Sequence, residues 1–193
     1  MNSHSMKATT ISNKTVTGNV PSIIEGTKTS VVSIRELTEL SVICALMFGI
    51  KEAMNILPNI HPVALIIILA TMIYGWKAMY PVVGFCLLEI GVFGLGPWSL
   101  MYLYIWPLLV VIAMLFRENR NWLVWALIAG VYGLMFGALC TIPYIFTSGI
   151  QAAIAYWIAG IPFDLIHGAS NFVIVLVLLP ILYKTVCRVK GLN

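Results

Sequence analysis

Gly160-Ile161-Pro162-Phe163-Asp164-Leu165-Ile166-His167-Gly168-Ala169-Ser170-Asn171-Phe172 opens the last apolar run of the chain, which ends near Tyr183. Pro162 suits the first position of a helix, where its missing N–H costs nothing, and Asp164 then falls in the first turn, where the helix dipole favours an anion. The spacing therefore predicts a helix starting at Pro162. Asp164, His167 and Asn171 stand three and four residues apart, on one helical face. Between Asn171 and Lys184 everything is apolar except Pro180 and Tyr183. Such a helix must turn its one polar stripe towards something polar.

Working outward, the 193 residues are 61% hydrophobic and 9% charged, and apolar stretches of spanning length recur from about Leu37 to Tyr183. This composition predicts an all-α polytopic membrane protein. A span uses roughly 20 residues, so the length suits one membrane domain with short loops and leaves no room for a soluble enzymatic domain. Residues 1–34 are rich in Ser, Thr, Asn and Lys and lack the apolar core of a cleaved secretory signal. They are expected to form a disordered cytoplasmic tail, followed by a membrane domain over 35–186 and a short cytoplasmic tail over 187–193. Cys44, Cys86, Cys140 and Cys187 are too widely spaced for a zinc motif or a disulfide framework. The formal charge of +4 comes from basic residues that flank apolar runs singly or in pairs. That pattern points to a lipid bilayer and not to nucleic acid.

Six spans are expected: Glu36–Leu57, Pro62–Tyr74, Ala78–Phe93, Trp98–Phe116, Trp122–Phe146 and Phe163–Tyr183. The basic residues test the count, because cytoplasmic loops collect Lys and Arg. Lys7, Lys14, Lys28 and Arg35 precede the first span, Lys77 separates the second from the third, Arg117 and Arg120 separate the fourth from the fifth, and Lys184, Arg188 and Lys190 follow the sixth. The remaining three loops carry none, and Lys51 alone lies inside a span. Both termini are therefore expected in the cytoplasm. With that orientation Lys51, Glu52, Asn55, Glu89, Asp164, His167 and Asn171 all fall in the outer half, Glu89 about 16 Å above Ala78. Charged groups facing lipid are costly, so these residues are expected to line one cavity open to the outside. A channel would carry polar groups along its whole length.

Other patterns add to this picture. Trp98, Tyr102 and Trp106 recur every four residues below the outer surface, where aromatics anchor an interface or stack on a flat ligand. Gln151, Tyr156 and Trp157 sit in an uncharged outer connection over 143–160. Gly130, Gly133 and Gly137 offer a surface for close helix contact, and Ser41, Ala45 and Gly49 form a small-residue stripe fit either for packing in the bundle or for docking another subunit. No Gly-x-Ser-x-Gly, His-Glu-x-x-His or P-loop pattern is present, so neither hydrolysis nor ATP use has its usual apparatus. Asp164 and His167 could ligate a metal, but two ligands on one helix make an incomplete site, for which Glu89 and His61 are the remaining candidates. No cofactor and no metal is called for.

Arg35-Glu36-Leu37-Thr38 before the first span, Leu57-Pro58-Asn59-Ile60 after it, and the Gly160–Phe172 stretch together resemble the substrate-binding S-components of energy-coupling factor (ECF) vitamin importers. The resemblance covers nearly everything after Val32. It implies a six-helix vitamin binder of the prokaryotic cell membrane, not an enzyme, working with a transmembrane coupling protein and two ATPase subunits. It also implies cargo capture near the outer face, for which Asn55, Asn59, Glu89, Trp98, Tyr102, Trp106, Tyr156, Trp157, Asp164, His167 and Asn171 are the candidates. Its docking motif is Ala-x-x-x-Ala on the first span; Ser41, Ala45 and Gly49 match the spacing and depart in identity. General likeness to one branch of the family favours a cobalamin-like cargo, with queuosine precursors, riboflavin and other vitamins as alternatives. Outside the family, a membrane scaffold holding partners through Ser41, Ala45 and Gly49, or a small intramembrane enzyme using Asp164 and His167, are the competing readings.

Overall fold

Ser33 starts the first helix, its hydroxyl accepting the Glu36 N–H at 3.2 Å and so satisfying one of the donors a helix start leaves free. The computed structural model describes residues 32–57 and 59–192. Most of the tail expected over 1–34, together with Pro58 and Asn193, lies outside them. The described residues form helices α1 (Ile34–Ala53), α2 (Val63–Tyr74), α3 (Met79–Phe93), α4 (Pro97–Leu115), α5 (Trp122–Leu134), α6 (Phe136–Cys140), α7 (Ile142–Thr147) and α8 (Gly149–Lys190), with a single 3-10 turn at Gly75–Ala78. No strand occurs among them.

Polar contacts fix how the helices run. Lys77 donates to Glu36 at 2.7 Å near the start of α1, and Lys51 donates to Glu89 at 2.7 Å near its end. Helices α1 and α3 are therefore parallel. Tyr74 donates to Glu39 at 2.9 Å, which puts the end of α2 beside the start of α1. The chain thus runs back along α2, turns, and returns along α3. Gly75 makes that turn with φ 61°, and a Cβ there would lie 3.3 Å from the Arg117 guanidinium. Both the conformation and the space favour glycine. Arg120 donates to Tyr183 at 2.7 Å, and Lys190 pairs with Glu39, so the end of α8 returns to this same basic end of the bundle.

Among the described residues Pro97–Leu115 and Gly149–Lys190 are long and apolar enough to cross a membrane, as is the run Val63–Phe93 by length and composition, although it reverses at Gly75 into α2 and α3. The pair Trp122–Leu134 and Phe136–Thr147, bent by 46°, makes a fourth if it acts as one span. Only 28% of the most apolar window of α8 is buried, and Leu165, Val173, Val177 and Ile181 face outward. An apolar surface of this extent suits lipid and would be a large exposed patch in water. The described residues thus form an all-helical bundle compatible with a membrane-embedded location.

Three local features differ from expectation. The helix expected to start at Pro162 begins at Gly149 and runs through Pro162. Proline there forfeits only the hydrogen bond to the Ile158 carbonyl, while Ala152, Ala153, Ala155 and Ala159 favour continued helix. The expected outer connection over 143–160 is consequently α7 and the first turns of α8. The expected fifth span is broken after Leu134. Gly133 and Gly137 weaken the helix there, and Asp164 Oδ1 takes the Gly137 N–H at 2.9 Å, a donor that an unbroken helix gives to the Gly133 carbonyl. Finally, α2 needs only 12 residues because the loop before it folds down into the bundle. His61 in that loop has its ring 6.1 Å from that of Trp106, which lies about 14 Å along α4.

The core packs Phe85, Trp106, Trp125, Ile67, Ile68 and Leu109, all fully buried. Helices α5 and α8 approach closest, through the glycines expected to permit it. A Cβ on Gly133 would lie 2.8 Å from the Gly168 backbone, and one on Gly130 would lie 3.2 Å from Phe172. This close approach sets the positions of Asp164 and His167.

Candidate functional site

Two cavities open at the end of the bundle opposite the basic one. The first, about 330 Å³, lies between α8, α6 and the α1–α2 loop and is lined by Asn59, Phe136, Gly137, Cys140, Tyr156, Ala159, Gly160, Phe163 and Asp164. The second, about 410 Å³, lies between α1, α3 and α4 and is lined by Lys51, Glu52, Asn55, Glu89, Phe93, Trp98 and Tyr102. The polar groups expected to share one cup are therefore divided between two.

Between the cavities stands a wall of rings. His61, Trp106, Phe136 and His167 form a closed circuit with centroids 6.1, 5.5, 5.0 and 5.3 Å apart in turn. The expected aromatic stripe leads into it from the second cavity, with Trp98 to Tyr102 and Tyr102 to Trp106 each at 5.7 Å, edge to face, a favourable geometry for such rings. Trp106 and His167 are essentially sealed from solvent. Trp106 Nε1, His167 Nε2 and His61 Nδ1 are buried without a partner among the described residues, as are Asp164 Oδ2, Glu89 Oε1 and Asn171 Nδ2. Few buried polar atoms in a folded protein stay unpaired, so six of them in one half of the molecule mark it as a place for something polar.

Asn59 organises the wall. It holds φ 60°, a conformation asparagine tolerates better than most residues. Its carbonyl accepts from Ser170 Oγ at 3.1 Å and faces His167 Nδ1 at 3.0 Å. A carbonyl only accepts, so Nδ1 carries the proton and Nε2 is left as a bare acceptor. Asn59→Val is expected to lower stability by about 1–2 kcal/mol, and Asn59→Gly to leave it nearly unchanged, as read from the thermal midpoint of the detergent-purified protein.

In the second cavity Lys51 bridges Glu52 at 2.9 Å and Glu89 at 2.7 Å. Its ammonium also lies 5.5 Å from the Phe93 ring centre and 5.8 Å from that of Tyr102. Of the candidate cargo residues, Asn59, Tyr156 and Asp164 meet at the first cavity, and Asn55, Glu89, Trp98 and Tyr102 at the second. Trp106 and His167 lie in the wall, and Asn171 is buried on α8 and lines neither cavity. Trp157 is exposed and lines neither. Phe136, Phe163, Cys140 and Phe93 were not among the candidates. As apolar residues in apolar runs they carry no sequence signal that sets them apart from core.

Ser41, Ala45 and Gly49 are exposed, and a Cβ on Gly49 would meet nothing within 4 Å. The stripe is thus not used for packing within the described residues. No three His, Cys, Asp or Glu side chains among the described residues stand close enough to share a metal ion. Comparison of the chain with family models, with curated proteins and with solved structures finds no match to any of them.

Proposed function

We propose that this protein is the substrate-binding subunit, an S-component, of an energy-coupling factor importer in a prokaryotic cell membrane. In this reading α1, α2, α3, α4, the broken unit α5–α7 and α8 are six spans with both ends in the cytoplasm. The subunit takes a vitamin or related micronutrient from outside and passes it inward with a coupling protein and two ATPases, which supply the nucleotide chemistry that this sequence lacks. The observation that carries the reading is the one-sided distribution of unpaired buried polar atoms. All six lie towards the cavity end, whereas the core of the basic half is apolar, with Leu40, Ile67, Leu109, Ala113 and Leu179 buried, and the cavity of about 490 Å³ there, between α1, α2 and α8, has a mostly apolar lining. A pore needs polar lining through both halves. A binder that loads from one side does not.

Cargo size follows from the cavities. At about 330 and 410 Å³ they fall in the range of small-molecule sites, and a corrinoid is far larger than either, so a small ring-bearing vitamin is favoured over cobalamin. The exposed stripe of Ser41, Ala45 and Gly49 supports docking of a partner helix, and it is also the observation that favours the scaffold alternative. The enzyme alternative has less behind it, because Asp164 and His167 engage separate backbone groups, those of Gly137 and Asn59.

Native mass spectrometry of the gently purified protein tests the reading. A vitamin-sized molecule released at near one-to-one ratio is the expected result. Ala45→Leu should abolish assembly with the coupling module and leave cargo bound. If that variant assembles and supports uptake like the wild type, the stripe is not the docking surface.

A further inference from the structure

Taking capture at the two cavities as given, the chemistry of their walls restricts what is captured. Among the described residues Asp164 is the only charged one that lines the first cavity. It is 7% exposed, forms no ion pair among the described residues, and accepts one hydrogen bond, from the Gly137 N–H, while Oδ2 has no partner. In the second, one ammonium faces two carboxylates and both of its ion pairs are already made, with Glu89 Oε1 left over. Among the described residues neither cavity offers an uncommitted cation. Of the six unpaired atoms, Asp164 Oδ2 and Glu89 Oε1 belong to residues that line a cavity, one in each, and both are carboxylate oxygens that accept hydrogen bonds.

A ligand that satisfies the unpaired oxygen of either cavity donates a hydrogen bond to it and brings no negative charge. A carboxylate or phosphate would instead be set beside Asp164 or the Glu52–Glu89 pair, and like charges brought together in a dry site repel strongly. Phe136, Tyr156 and Phe163 around Asp164 provide faces for a flat ring, and aromatic faces attract cations as well. We propose that the cargo is a neutral or cationic nitrogen heterocycle with exocyclic or ring N–H groups, of the aminopyrimidine or aminopurine kind, whose N–H edge is held by Asp164, and that the site rejects analogues bearing a carboxylate or phosphate. A carboxylate accepting two parallel N–H bonds from such an edge is a strong, geometrically specific pairing.

The test is equilibrium binding to the full-length protein in detergent, by calorimetry, using matched pairs. Thiamin is set against thiamin monophosphate and riboflavin against flavin mononucleotide, with adenine and guanine as simple aminopurines and biotin, pantothenate and nicotinate as anionic probes. Saturable binding is expected for at least one uncharged or cationic N–H-bearing heterocycle, and a phosphate on that ring system should weaken it by about 30-fold or more. Asp164→Asn should weaken the heterocycle and narrow its advantage over the phosphorylated partner. An anionic probe binding as tightly as any neutral or cationic one would overturn this inference and leave the capture reading intact. If no probe of either kind binds and no small molecule co-purifies, the capture reading fails and the inference falls with it.

Discussion

Gly133→Ala is expected to destabilise the protein by about 3 kcal/mol, at the upper end of what overpacking costs, and to abolish cargo capture with it. A Cβ at this position would stand 2.8 Å from Gly168 Cα, Gly168 N and the His167 carbonyl. These are backbone atoms, which cannot swing aside as a side-chain end can, so α5 and α8 must move apart. Separation carries away both ends of the site, because Asp164 is tied to Gly137 beyond the break in α5 and His167 sits in the displaced turn of α8. Gly168→Ala meets Leu134 Cγ at 2.6 Å and the Gly130 carbonyl at 2.9 Å and should behave similarly. Gly91→Ala is the control. A Cβ there meets nothing within 4 Å, and replacing a helical glycine by alanine should stabilise by about 0.5–1 kcal/mol. Thermal midpoints in one detergent, read beside retention of any small molecule that co-purifies, separate these outcomes. Equal midpoints for the two variants would mean that the close helix contact does not support the fold.

The difference between those glycines is not visible in the sequence, where all of them sit in apolar runs. What is visible is the set of elements. Pro62, the Gly94-Leu95-Gly96-Pro97 turn and Lys77 punctuate the chain sharply, and the expected Pro62–Tyr74, Ala78–Phe93 and Trp98–Phe116 correspond within a residue to α2, α3 and α4. Pro162 misleads because a proline's preference for a helix start is local, whereas the helix there is carried by alanines before it. The partner that explains Asp164 is Gly137, 27 residues away, beyond the reach of spacing rules. Depth along a helix can be read from residue count, but position around the bundle cannot. That is why residue count puts Glu89 and Asp164 at one depth, and so in one expected cup, although they line different cavities. The same limit separates Tyr156 from Trp157. Consecutive residues point about 100° apart on a helix, and only Tyr156 lines the first cavity.

Lys51→Met should cost about 3–5 kcal/mol, the usual effect of leaving one member of a buried ion pair uncompensated. Glu89 has a side chain 1% exposed and Lys51 only 18%, so water cannot take over the lost charge. The Glu52 carboxylate, 2.9 Å from the same ammonium, is left beside it and adds repulsion. The outcome is specific to burial and not to removing a lysine. Lys77→Met removes a similar ion pair, with Glu36, whose partners are each 24% exposed, and should cost about 1 kcal/mol or less. The double variant Lys51→Met with Glu89→Leu replaces the pair by apolar groups of similar size and should recover most of the loss. Denaturant titration in mixed micelles measures all three. If Lys51→Met costs no more than Lys77→Met, Glu89 does not depend on Lys51, and the second cavity holds a carboxylate free to bind. If the double variant regains stability and keeps full cargo affinity, the second cavity serves the fold, and capture lies with Asp164 and the ring wall alone.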